Sequence, residues 1–236
     1  MARIYIDQNY QVKQRSSGNT SAGWTDGSLN SLNLEAFHGD LIGLRACWAG
    51  KNASTPMSLW FASDSTTFQE YLYQDDEWKW QRSWEGYNGA AGVGCFSWGA
   101  GPYKYVGFVN VDNQLEIWWQ NSTSVEGPSG WNQTGVTVDD LHPASSMAFF
   151  VRTFVVQKLE QNRLWVYNMT WNGRDSKIEG EGIYVESEML GGTHIAALPQ
   201  DDTLLIYSQA SGNDIEQSSS GLDDVGTPWD YRNIAI

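Results

Sequence analysis

Two short stretches combine residues that could grip a polyhydroxylated ligand. EYLYQDDEW (70–78) and EIWWQ (116–120) each set a carboxylate, Glu70 or Glu116, among large aromatic side chains on a strand-like run. A carboxylate accepts several hydroxyl hydrogen bonds at once, and an aromatic ring offers a flat apolar face to C–H groups. Together they describe a concave site with a few convergent polar groups, the kind that takes a sugar. The plainer reading is an outward charge on an alternating strand beside an aromatic that only packs. Both readings stand on these residues alone.

The aromatics are also periodic. Trp24, Trp78, Trp131, Tyr184 and Trp229 mark a unit that recurs about every 45–55 residues, the period of a propeller or similar array. Each tryptophan therefore has a second role open to it, as a packing residue between repeats. The elements that must position them are clearest in the second repeat, where DLIGLRACW, MSLWFAS, FQEYLYQ and WKWQRSW are separated by short polar turns. The first run is continuously apolar, as in a strand buried on both faces, whereas FQEYLYQ alternates. Four short strands with tight turns make a meander, and a meander is one blade.

The sequence thus predicts an all-β propeller of about five four-stranded antiparallel blades in a single domain. Its repeats fall near 1–40, 41–90, 91–143, 144–192 and 193–236. No helical pattern of useful length appears. Five middle strands are legible but only four inner ones, because nothing precedes RIYID to serve the first blade. Three solutions are open: residues 233–236 slide inward, a neighbouring chain donates a strand, or the first blade has three strands.

A net charge of −14, from 28 acidic and 14 basic residues, argues against nucleic acid and anionic lipid, whose binding rests on Lys and Arg. His38, His142 and His194 lie far apart and there is no cysteine pair at ligand spacing, so no metal is expected. No apolar segment approaches membrane-spanning length, so no membrane insertion is expected. MARIYIDQ lacks the apolar core of a signal peptide, which gives the expectation of a cytoplasmic or non-classically secreted protein. Cys47 and Cys95 fall in matching buried runs and are expected to be free packed thiols. Thirteen Trp, eleven Tyr and eight Phe exceed what a core of this size needs, so exposed aromatic surface and a binding role are expected.

RIYIDQNYQVKQRSSGNTSAGWTDGS (3–28) and IAALPQDDTLLIYSQASGNDIEQ (195–217) resemble blades of the fungal fucose-specific lectins of the Aleuria type. The likeness runs from about Ala2 to Tyr231. Those lectins are six-bladed propellers that hold fucose between adjacent blades, so the resemblance implies a non-catalytic, multivalent carbohydrate binder without cofactor. Its partners would be fucosylated or other glycans on glycoproteins and cell surfaces, with a homo-oligomer possible. Each family pocket takes an Arg from the second strand and a Glu about twelve residues later, with two aromatics from the following blade. The Arg and carboxylate hold sugar hydroxyls through charge-assisted bonds while the aromatics pack on the apolar face.

Carried over, the first pocket takes Arg3, Gln14, Tyr73 and Trp78, and is the best matched. The second takes Ser58, Glu70, Trp119 and Trp131. The third takes Lys104 and Glu116 with Tyr184. The fourth offers Arg152 with Leu164 or Trp165 at the acidic position, and the fifth Glu216 and Trp24 with Leu204 where Arg belongs. No pocket keeps the whole set, which leaves a neutral hexose or an N-acetyl sugar beside fucose. Two other classes remain. A glycoside hydrolase would need paired acids about 5–10 Å apart near the axis, where the inner runs offer only Asp40, at an edge. A protein-interaction scaffold would use the top face of the ring.

Overall fold

The computed structural model describes residues 2–17, 23–48, 56–97, 103–121, 130–150, 152–185, 189–210, 214–221 and 229–234. They form five small antiparallel sheets. Blade one holds β1 (Ala2–Ile6), β2 (Val12–Ser16) and β3 (Thr25–Asp26), followed by a 3-10 turn (Ser28–Leu32). Blade two holds β4 (Leu44–Trp48), β5 (Met57–Ala62), β6 (Thr67–Gln74) and β7 (Glu77–Glu85). Blade three holds β8 (Gly94–Ser97), β9 (Tyr103–Val109), β10 (Leu115–Asn121) and β11 (Asn132–Val138). Blade four holds β12 (Met147–Phe149), β13 (Thr153–Gln157) and β14 (Leu164–Thr170), whose outer edge is shared by β15 (Lys177–Ile178) and β16 (Ile183–Tyr184). Blade five holds β17 (Ala196–Gln200), β18 (Thr203–Gln209), β19 (Ile215–Gly221) and β20 (Asp230–Ile234).

Consecutive strands pair within each blade, β16 alone joining β14 beside β15, so each blade is a meander. Tight turns make this possible. Asp75 and Asp76 close β6 onto β7 with φ of 54° and 63°, the two-residue hairpin geometry that matches strand twist. Successive side chains of a strand point to opposite faces, and all six residues of β5 (MSLWFA) are buried, so that strand is covered on both. Four apolar cores fill consecutive seams. Leu29, Leu59 and Trp78 meet between blades one and two, and Trp60, Phe68 and Phe108 between two and three. Leu115, Met147 and Phe154 meet between three and four, and Val155, Leu204 and Ile206 between four and five.

The first blade has three strands among the described residues. Asn233 and Ile234 do not slide inward: they pair with Glu216 and Ile215 on the outer edge of blade five, while residues 235 and 236 lie outside the described residues. β1 therefore takes the axial place. It borders a cavity of ≈300 Å³ lined by all five blades, with Ile4, Ile42, Val93, Met147 and Ile195 as examples from each.

The expectation of free thiols is corrected. Cys47 and Cys95 form a disulfide between β4 and β8. Inner strands of adjacent blades converge toward the axis, so matching positions in consecutive repeats come face to face, with Cα atoms 6.3 Å apart.

The connection entering blade four is stapled by His142, whose Nδ1 accepts a hydrogen bond from the Ala144 amide at 3.1 Å. Burial holds its imidazole below the ordinary histidine pKa. The fold therefore favours the neutral ring, and that stability is whole above the unfolded pKa of about 6.5 and lost as pH falls through the lower folded value. A melting temperature followed from pH 7 to 5 should decline, and His142→Asn should flatten the decline. An unchanged slope in the variant would assign the acid sensitivity elsewhere.

Candidate functional site

The most charged point among the seams lies between blades two and three. Glu70 on β6 is 2 % exposed, yet two cations attend it. Arg82 Nε on β7 lies 3.3 Å from Glu70 Oε2, with its side chain 20 % exposed. Lys104 on β9 of the next blade places its Nζ 5.0 Å from the centre of the Trp131 ring. The carboxylate also accepts from two indoles, Trp84 Nε1 at 3.0 Å and Trp131 Nε1 at 3.3 Å. Burial pushes the Glu70 carboxyl above its ordinary pKa while Lys104 and Arg82 pull it back, and burial lowers both cations.

Local register builds this cluster. Glu70 pairs with Trp60 on β5 and with Arg82 on β7, so the three share one face, and Ser58 lies two residues along on the same side. The hydroxyl of Ser58 and the Nε1 of Trp60 are buried without a hydrogen-bond partner. Arg82 Nε, although close to the carboxylate, is not angled to donate to it. The cluster can thus accept hydroxyl protons at one carboxylate and donate from a guanidinium, an ammonium and a hydroxyl, beside two tryptophans. Among the described residues the cluster holds one carboxylate, whereas glycoside hydrolysis uses a pair.

The first pocket is only partly assembled. Gln14 Oε1 accepts from Trp78 Nε1 at 3.1 Å and from the Leu29 amide at 3.3 Å, and the Ser28–Leu32 turn covers it. Tyr73 packs on Trp78 with ring centres 5.1 Å apart. Arg3 is not part of this group. It pairs with Arg15 while Gln14 pairs with Ile4, so Arg3 projects from the opposite face, where its guanidinium lies over Trp24 at 4.8 Å.

In the second set, Ser58, Glu70 and Trp131 come together but Trp119 does not. Trp119 lies 5.2 Å from Tyr103 and against Gly173 of blade four, because β10 runs in unbroken register with β9 and alternation turns Trp119 to the face opposite Glu116 and Trp118. Lys104, assigned with Glu116 and Tyr184, instead completes the Glu70 cluster. Glu116 is held apart from it, accepting from Tyr87 Oη at 2.7 Å and Asn110 Nδ2 at 3.0 Å. Burial, then this bond to Glu116, raises the Tyr87 phenol well above its ordinary pKa. Arg152 is exposed just before β13, and its carbonyl accepts from the Met169 amide.

The seam between blades three and four is occupied by the chain itself. Trp171 donates Nε1 to the Phe150 carbonyl at 2.9 Å and packs against Phe96, Tyr105 and Phe149. Gly173, at φ +55°, lays its backbone against Tyr103 and Trp119 and donates to Tyr105 Oη at 2.8 Å. The repeating tryptophans are themselves seam residues: Trp78 is 6 % and Trp131 7 % exposed. Trp80, at 55 %, is the most exposed of the described large hydrophobics. Arg82 and Trp84 escaped the sequence reading although WKWQRSW spaces them two apart, because an outer strand was not expected to carry polar site groups.

These sheets around one axis define the class, a five-bladed β-propeller. No protein-family model and no curated protein matches the sequence. Among solved structures it is similar to the lectin of Aleuria aurantia, a six-bladed β-propeller that recognises fucose. The identity is 16 %, over 98 % of this chain and 72 % of that one, with a TM-score of 0.72. AofleA from Arthrobotrys oligospora gives 14 % identity, 100 % and 68 % coverage and 0.72. The SapL1 lectin, solved with α-methyl fucoside, gives 15 %, 97 % and 73 %, and 0.67. The likeness to Aleuria-type lectins read from the blade sequences is thus borne out as a likeness of fold.

Proposed function

We propose that this protein is a lectin: it binds carbohydrate without transforming it, at a site between blades two and three made by Glu70, Arg82, Lys104, Ser58 and Trp131. The carrying observation is the buried carboxylate between two cations and two indoles, with donors left over. Such a set suits vicinal hydroxyls on a ring with an apolar face, as in fucose or a related neutral sugar. Solved lectins of this fold bind fucosides, one of them Fucα1-6GlcNAc, which supports fucosylated glycans as the first class to test. Gln14 with Tyr73 and Trp78 is the secondary candidate, of lower affinity because a neutral amide replaces the acid. Several weak sites on one ring would act together on a glycosylated surface.

A glycan array with the parent protein and Glu70→Gln is the test. Defined signals should appear for the parent, and the variant should bind the best glycan at least about tenfold more weakly, since a hydrogen bond to a charged group is worth about 1.5–3 kcal/mol. Equal binding by the variant removes the site assignment. A second reading rests on the low exposure of Trp78 and Trp131: the cluster is a blade-to-blade clamp and the ring a protein-interaction scaffold. An array silent with well-folded protein selects that reading.

A further inference from the structure

The axial cavity has a chemistry of its own. Its ≈300 Å³ is lined mainly by apolar residues of the inner strands and of the segments that lead into them, with Tyr5, Arg45, Ser146 and His194 as its polar side chains. Arg45 lies on β4, paired with Trp60, and is half-buried. Among the described residues no hydrogen bond or ion pair engages its guanidinium. The chain has 28 acidic residues, yet none of the described ones lines this cavity. An arginine taken from water is normally paired, because its planar fork is made for carboxylate or phosphate oxygens. Burial lowers its pKa, with no neighbouring acid acting against it.

We infer that the axial cavity is a binding site for a small amphiphilic carboxylate, held by Arg45 through its two oxygens and by the inner strands through its apolar body. The size suits a compact ligand, at the lower end of small-molecule pockets. The apolar walls favour a hydrocarbon chain over a hydroxylated sugar. Exposed Tyr5 and His194 belong to the same lining, so the ligand can be reached from solvent. Ser58, Glu70, Arg82, Lys104 and Trp131 are not among its lining residues.

Sodium hexanoate is the probe and hexan-1-ol its neutral counterpart, each followed by calorimetry and thermal shift on the whole chain. Hexanoate should bind and raise the melting temperature, and hexanol should bind at least about tenfold more weakly. Arg45→Met should reduce hexanoate affinity by a similar factor while the free variant melts no lower than the parent. Arg45→Lys, which keeps the charge without the planar fork, should bind hexanoate with intermediate affinity and still above hexanol, and Glu70→Gln should retain all of the binding. The inference is overturned if hexanol and hexanoate bind alike, if Arg45→Met binds hexanoate as the parent does, or if the parent binds neither. It is also overturned if free Arg45→Met melts lower than the parent, which would give Arg45 a structural role. Should Arg45→Met fail to fold, the comparison of hexanoate with hexanol on the parent and on Arg45→Lys decides.

Discussion

Glu70→Ala should lower the unfolding free energy by about 3–5 kcal/mol, the cost of breaking a buried ion pair by removing one partner. The loss has two parts. Arg82 and Lys104 keep their charges in a seam with little water, and the indole N–H groups of Trp84 and Trp131 lose their acceptor. Leaving buried donors unpaired costs more than the original bonds contributed. Urea unfolding of parent and variant measures it. A loss below about 1 kcal/mol would mean the cluster behaves as a solvated surface pair. Glu70→Gln is the milder companion, since an amide still accepts from one indole. It separates the role in binding from the role in holding two blades together, because the ring survives while the charge is gone.

Removing the Cys47–Cys95 disulfide comes next in size. The bond closes a loop with a sequence separation of 48. In the chain-entropy account such a loop gives about 4 kcal/mol by restricting the unfolded chain. The Cys47→Ser/Cys95→Ser double variant should therefore melt roughly 10 °C lower than the oxidised parent. Reductant should bring the parent to the same temperature and leave the variant unmoved. A variant that melts with the oxidised parent would show that the two inner strands are held by packing alone. Because the bond ties blade two to blade three at the axis, the double variant should also weaken glycan binding at their seam, detectable on the same array.

Both predictions concern features the sequence half disclosed. The Trp period, the alternation of FQEYLYQ and the continuously apolar inner runs are local properties, and they determined the propeller, the meander and the three-stranded first blade as one of three solutions. Glu70 and Trp131 were likewise legible as candidate site residues, because they stand in repeat-equivalent stretches. The aromatic excess pointed to exposed platforms, and the fold spends most of it on the seams instead.

What only the tertiary structure decided was which residues face one another. A one-residue difference in register moves a side chain to the other face of its sheet. Pairing of Arg3 with Arg15 turned Arg3 away from Gln14, strict alternation along β10 left Trp119 facing blade four, and Lys104 crossed to the seam of Glu70. Arg82 supplies, from the outer strand of the same blade, the guanidinium that Ser58 could not. Spacing along a chain counts residues, whereas a site is made by strands from two blades meeting across a seam. That meeting depends on how whole sheets pack around the axis, which no single repeat encodes.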